Sequence, residues 1–120
     1  MKTQIPKMRL TVDQFIPLAQ SGSRCALTFS AVRAIKRGAE AVQKIVKEKT
    51  IVYGVNTGIG NLCDVFLSDG ELLELQENII FSHACGGEPY FDDDIARGAL
   101  LLVINARAKG YSGITEETIQ

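Results

Sequence analysis

Tyr53-Gly54-Val55-Asn56-Thr57-Gly58-Ile59-Gly60-Asn61 is the stretch on which the reading of this sequence turns. It places three glycines close together beside a tyrosine, an asparagine and a threonine. It is not a phosphate-binding loop, because no Lys-Ser/Thr pair follows a Gly-x-x-x-x-Gly spacing. Nor is it a dinucleotide fingerprint, because Gly58-Ile59-Gly60 lacks the third glycine that opens a helix. Two readings stay open on these residues alone. One is a turn that needs positive φ. The other is a functional loop whose backbone amides approach a ligand closely.

Outward from the loop, the pattern is predominantly helical. Ile51-Val52-Tyr53, just before it, is β-prone. Upstream, Val32, Ile35, Ala39, Val42, Ile45 and Val46 recur at steps of three and four, the apolar stripe of a long helix running to about Lys49. Ser30 is read as its cap, and Gly38 weakens its middle by about 1 kcal/mol relative to Ala. Arg33, Lys36, Arg37, Glu40, Lys44 and Lys47 fall outside the stripe and form a solvated face. Further upstream, Thr11-Val12-Asp13-Gln14 matches a capping box and starts a short helix to about Ala19, ended by Ser21-Gly22. Ala26-Leu27-Thr28 is expected to be extended.

Downstream, Ser68-Asp69-Gly70-Glu71 is a second capping box, and Leu72, Leu75 and Ile79 carry a helix to His83 or Ala84. Gly86-Gly87-Glu88-Pro89 breaks it. Asp92, Asp93 and Asp94 suit the positive end of a further helix dipole. The segment from Ile95 to Lys109 is apolar nearly all round, which predicts a buried helix. Gly110 stops it, and Thr115-Glu116-Glu117 opens one more. The fold class expected from this order is α-rich α+β.

Composition narrows the function classes. The chain has 120 residues, 46 % apolar and 22 % charged, with a formal net charge of −1. That suits one small globular domain. No basic footprint is present to neutralise phosphates, so nucleic acid is not an expected partner. No apolar run approaches the roughly 20 residues of a membrane span. Cys25, Cys63 and Cys85 are irregularly spaced and read as reduced thiols. With Met1-Lys2-Thr3-Gln4 opening no apolar secretory core, a cytoplasmic location is expected. His83-Ala84-Cys85 contains the only histidine of the chain. A zinc site needs about four ligands, and no metal is expected.

Three blocks, in order, then resemble one known family. Tyr53 to Gly60 looks like the N-terminal signature of the aromatic amino-acid lyases. Leu75-Gln76-Glu77-Asn78-Ile79-Ile80-Phe81-Ser82-His83-Ala84 resembles the next block, and Asn105-Ala106-Arg107-Ala108-Lys109-Gly110-Tyr111-Ser112-Gly113 the third. Within the family, the Ser82-His83 pair resembles the histidine ammonia-lyase branch. Cys85-Gly86-Gly87-Glu88-Pro89 is one residue shorter than the segment usual in relatives. Val103 stands where an arginine is common, and Arg107 where a leucine is usual.

The resemblance implies an N-terminal lyase domain over 1–110 and the start of a truncated helical region over 111–120. It implies that Tyr53 is the base that removes a β-proton. An ordinary tyrosine titrates at about 10, so that role needs groups around it that favour phenolate. It implies that Gly60 lines the substrate pocket and that His83 contacts the substrate imidazole, with a neutral ring able both to donate and to accept. Asn78 and Asn105 are expected to be structural. The family's electrophile, methylidene-imidazolone, forms from an Ala-Ser-Gly triplet, and this sequence has none; Tyr111-Ser112-Gly113 is a near match that belongs to the third block.

The implied whole enzyme converts L-histidine to urocanate and ammonia, as a homotetramer whose sites draw on several subunits. The 120-residue chain, expected to be inactive alone, would partner the remainder of the enzyme. Two alternatives stay open: a lyase or aminomutase for another aromatic amino acid, and a non-catalytic assembly or binding protein derived from the same fold.

Overall fold

The computed structural model describes residues 3–5, 10–20 and 22–120. Two compact units make up the chain: Met1–Ala41 with Tyr90–Gln120, and Val42–Pro89.

The first unit holds the sheet. Strand β1 (Thr3–Ile5) pairs in parallel with β2 (Cys25–Leu27), with Ile5 opposite Leu27. Parallel neighbours need a crossover, and helix α1 (Val12–Ala19) lies between them in sequence. The capping box expected there closes on its Gln14 side: the Thr11 amide donates to Gln14 Oε1 at 3.1 Å. Ser21, expected to help end this helix, lies outside the described residues; Gly22 follows at φ 83°. The pairing of β2 makes Cys25, Ala26 and Leu27 the extended residues, with Thr28 turning into the next helix. β1 carries too few residues to show a period and was not anticipated.

Helix α2 (Phe29–Glu48) presents the expected stripe inward, with Ile35 buried and Val32, Ala39, Val42, Ile45 and Val46 partly buried, while its charged face is exposed. Its cap is not Ser30. The Thr28 hydroxyl accepts the Ala31 amide at 3.2 Å, so Ser30 sits inside the first turn. Helix α4 (Asp93–Arg107) is also buried less completely than its composition predicts. Leu101 is 4 % exposed, whereas Ile95, Leu100, Leu102 and Val103 are more than half exposed. The inward side is set by packing on α1: Gly98 lies against Phe15 and Ala19, and Leu101 joins Ile5 and Leu18 in the core, flanked by Leu10, Phe15, Leu27 and Ile104. The Arg97 guanidinium donates to the carbonyls of Ala19 (3.3 Å) and Ser23 (2.8 Å), tying α4 to the end of α1.

The third sequence block turns sharply after α4. Gly110 has φ 82°, and a Cβ there would stand 2.3 Å from the Ala34 carbonyl oxygen of α2. Only glycine permits both the conformation and the approach. Helix α5 (Glu116–Ile119) follows, capped by the Thr115 hydroxyl, with Ile119 buried and Glu116 paired to Lys36 at 2.8 Å.

The second unit contains the glycine loop and helix α3 (Asp69–His83). Both the amide and the hydroxyl of Ser68 donate to Glu71 Oε2, at 2.8 and 2.6 Å, so the predicted capping box forms around the N3 carboxylate. The β-prone run Ile51-Val52-Tyr53 is not a strand. Side-chain and turn hydrogen bonds take up its backbone in place of a neighbouring strand: the Val52 amide donates to Asn56 Oδ1 (2.9 Å), and the Val52 carbonyl accepts from the Val55 amide (3.0 Å).

No helix among the described residues is long and apolar enough to cross a membrane.

Candidate active site

The loop from Thr50 to Leu67 is built around two polar side chains, Asn56 and Thr57, each about 1 % exposed. Asn56 clamps the entry to the loop: its Oδ1 accepts from the Val52 amide, and its Nδ2 donates to the Thr50 carbonyl at 2.7 Å. The Thr57 hydroxyl accepts from the Gly54 amide at 3.3 Å and donates to the Gly58 carbonyl at 2.9 Å. Thr57 also bridges antiparallel to Phe66, flanked by Gly58 amide to Val65 carbonyl (3.1 Å) and Leu67 amide to Asn56 carbonyl (3.2 Å). Local side-chain bonds of this kind offer the backbone an alternative to a ladder. Gly58 is demanded by contact, since a Cβ would stand 2.5 Å from Leu62 Cβ.

This frame holds Tyr53 on the outside. The residue is 62 % exposed, and among the described residues no hydrogen bond or ion pair reaches its hydroxyl. Gly60, at φ 64°, opens a single 3₁₀ turn over Gly60–Leu62 and is exposed. His83 is the last residue of α3 and is also exposed. Its Nδ1 lies 2.9 Å from the Ile79 carbonyl oxygen and 3.0 Å from Ser82 Oγ. The Ser82 hydroxyl also donates to the Ile79 carbonyl, at 3.1 Å. Tyr53, Gly60 and His83 therefore belong to one compact unit, the first two on its polar-framed loop and the third at the C-terminus of its helix.

At the other end of α3, the Ser68 hydroxyl and, after it, the Ser68 amide hold the Glu71 carboxyl below the usual carboxylate range. Asn105 is buried in α4 of the first unit, while Asn78 is exposed on α3. A cavity of about 390 Å³ in the first unit, lined by Ile5, Cys25, Leu27, Val32, Ile104 and Ile119 among others, contains none of the three candidate residues. Cys25, Cys63 and Cys85 are free thiols, and among the described residues no three His, Cys, Asp or Glu are placed to hold a metal ion.

What sequence reasoning missed is the frame. Asn56 and Thr57 stand inside the quoted stretch without an assigned role. Their signal is that both are short polar side chains able to bond nearby backbone, in a run where glycine removes other support.

The aromatic amino acid lyase family profile matches residues 10–120. A histidine ammonia-lyase of Streptococcus pyogenes serotype M3 is 43 % identical over 112 residues, covering 92 % of this chain and 22 % of the relative. A histidine ammonia-lyase of Shouchella clausii is 40 % identical over 111 residues, with the same coverage. Among solved structures, the histidine ammonia-lyase of Trypanosoma cruzi superposes with a TM-score of 0.85 at 36 % identity, over 100 % of this chain and 23 % of that one. An ergothionase from Treponema denticola superposes with a TM-score of 0.89 at 24 % identity, over 99 % of this chain and 24 % of that one, a likeness of fold. The chain spans about a fifth of the length of the curated relatives it matches.

Proposed function

The chain belongs to the aromatic amino acid lyase family, and from that premise we propose that it is the N-terminal part of a histidine ammonia-lyase, an enzyme of histidine catabolism that eliminates ammonia from L-histidine to give urocanate. The observation that carries the reading is the identity to bacterial histidine ammonia-lyases across nearly the whole chain, with Ser82-His83 at the end of α3 as the residues that favour histidine.

Within that reading each residue has a task. Tyr53 removes the β-proton from the substrate through its phenolic oxygen, acting as general base. Its side chain reaches out from a loop that Asn56 and Thr57 hold from beneath, so the base is positioned by hydrogen bonds behind it and stays open in front. Groups that favour phenolate come from elsewhere in the complete enzyme. Gly60 lines the pocket with bare backbone. His83 binds the imidazole ring of the substrate.

The methylidene-imidazolone of the family supplies an electrophile that makes the amino group a better leaving group. This sequence has no Ala-Ser-Gly from which to form it, so the group would form elsewhere in the complete enzyme, and the chain alone is inactive. The complete enzyme is a cytoplasmic homotetramer in this reading, with 1–110 as its N-terminal lyase domain and 111–120 opening a helical region.

The test is a substrate panel. A complete lyase containing this segment, given L-histidine, L-tyrosine and L-phenylalanine in turn, is expected to release product from L-histidine, followed by urocanate absorbance. Turnover of another aromatic amino acid in its place overturns the assignment. The 120-residue chain is expected to release no urocanate, and turnover by it, with full-length enzyme excluded, overturns the inactivity.

A further inference from the structure

The ring of His83 is held at one nitrogen by two neighbours on its own helix. Nδ1 lies 2.9 Å from the Ile79 carbonyl oxygen and 3.0 Å from Ser82 Oγ. A carbonyl oxygen can only accept. An unprotonated Nδ1 at 2.9 Å would set one lone pair against another. A protonated Nδ1 instead donates to that carbonyl and shares its proton with Ser82 Oγ. The Ser82 hydroxyl, in turn, donates to the same Ile79 carbonyl at 3.1 Å, an oxygen that also accepts the His83 amide as part of the helix. Every donor then has an acceptor, and Ser82 Oγ is left with lone pairs facing the ring. Of the two neutral tautomers, only the Nδ1–H ring avoids setting a lone pair against the Ile79 carbonyl.

We infer that Ser82 and the Ile79 carbonyl fix neutral His83 as the Nδ1–H tautomer, so that Nε2 presents a lone pair and recognises a hydrogen-bond donor on the substrate ring. Among the described residues Nε2 has no hydrogen-bond partner, so the acceptor is available. The ligand chemistry this selects is an aromatic ring bearing an N–H or O–H, as imidazole does. A plain phenyl ring leaves Nε2 unpaired, and sites built to pair a polar group reject analogues lacking it. Ser82 is thus a positioning residue, acting through the His83 ring. The recognition half of the inference rests on the proposed substrate contact of His83.

Because the chain has a single histidine, ¹⁵N NMR of the histidine-labelled chain reads the tautomer without ambiguity. The expected spectrum of the neutral ring shows Nδ1 as the protonated nitrogen and Nε2 as the bare one. A major Nε2–H form overturns the inference whatever the kinetics. Ser82→Ala is expected to shift the ring toward a tautomer mixture, and Ser82→Thr to retain the wild-type spectrum; no shift in Ser82→Ala overturns the part given to Ser82. In a complete lyase, Ser82→Ala is expected to raise KM for L-histidine roughly 2–10-fold, the worth of one hydrogen bond, with kcat much less affected and Ser82→Thr near normal. An Nδ1–H ring combined with a KM that His83→Ala leaves unmoved overturns the recognition half together with the reading it rests on, while the tautomer stands.

Discussion

In the unit formed by Met1–Ala41 and Tyr90–Gln120 the buried side chains among the described residues are almost all aliphatic: Ile5, Leu18, Ala19, Ala31, Ala34, Ile35, Leu101, Ala108 and Ile119, with Asn105 among them. In Val42–Pro89 the fully buried side chains are Asn56 and Thr57, and α3 buries none of its residues. Apolar burial is non-directional and scales with area, at about 25 cal/mol per Å². It makes a scaffold and tolerates modest change in shape. Hydrogen bonds are directional and are expensive to leave unmade once buried. They make a loop with one shape. The unit that carries Tyr53, Gly60 and His83 has the second kind of interior, which suits the proposal that its outward residues meet a substrate.

The largest effect should come from the outward side of that loop. Tyr53→Phe, in a complete lyase, is expected to lower kcat by about 10²–10⁴-fold, the usual loss for a positioned acid–base group, with α3 and the loop frame undisturbed because the hydroxyl has no partner among the described residues. Turnover within a factor of a few of the parent would mean that another group is the base.

Next comes the aliphatic unit, attacked where it is least tolerant. Gly110→Ala forces a side chain into φ 82° and onto the Ala34 carbonyl. Left-handed backbone costs about 1–2 kcal/mol and overpacking about 1–3 kcal/mol more, so a loss of ~2–5 kcal/mol is expected in urea unfolding. The contrasting change is Gly70→Ala in α3, where a Cβ meets nothing within 4 Å; it should stabilise by roughly 0.5–1 kcal/mol. Equal effects at the two sites would erase the distinction between close-packed and open glycines.

The polar interior is tested by Asn56→Ala. It strips the Val52 amide and the Thr50 carbonyl of their partner, and because both lie in part-buried positions that water can reach, the loss is expected to be about 0.5–1.5 kcal/mol, the net worth of a hydrogen bond. Amide exchange should accelerate from Val52 to Leu67 while the first unit keeps its protection. Uniform loss of protection over both units would show that the loop frame also holds the scaffold.

The helices and the candidate residues were legible in the sequence, the polar interior around Asn56 and Thr57 was not, and the limits are physical. The long helices were visible because α2 alternates Ile35 and its stripe with a charged face, and because Ser68 and Glu71 stand at capping-box spacing. The three blocks that resemble the lyase family named Tyr53, Gly60 and His83 before any geometry. Less readable was anything that depends on what lies alongside. Thr28 and Ser30 are both able to cap, and only the turn from β2 decides for Thr28. Ile51-Val52-Tyr53 has strand propensity, yet propensity in a strand expresses packing against a partner, and Asn56 takes the amide instead. α4 is apolar on several faces, so composition alone could not say that Leu101 would turn inward and Leu102 outward.

The smallest effect concerns the start of α3, whose far end carries His83. The Ser68 hydroxyl and amide both donate to Glu71 Oε2, and they hold its carboxyl below the ordinary value near 4.5. A carboxyl whose folded pKa is depressed binds fewer protons folded than unfolded over that window. Its contribution to stability is therefore complete above the ordinary pKa and disappears as pH falls through the lowered folded value. Acid should fray the first turn of α3 ahead of its middle, and the Leu72 amide, bonded to the Ser68 carbonyl at 2.9 Å, reports it by exchange. Glu71→Gln keeps an acceptor at the same position in the capping box but has no proton to bind. In that variant the acid-dependent excess of Leu72 exchange should vanish, while exchange at neutral pH changes little. Asp69, Glu74 and Glu77 on the same helix are common to both proteins, so the difference between the two curves isolates Glu71. Superimposable curves would show that the capping carboxylate does nothing for the helix that a neutral amide cannot.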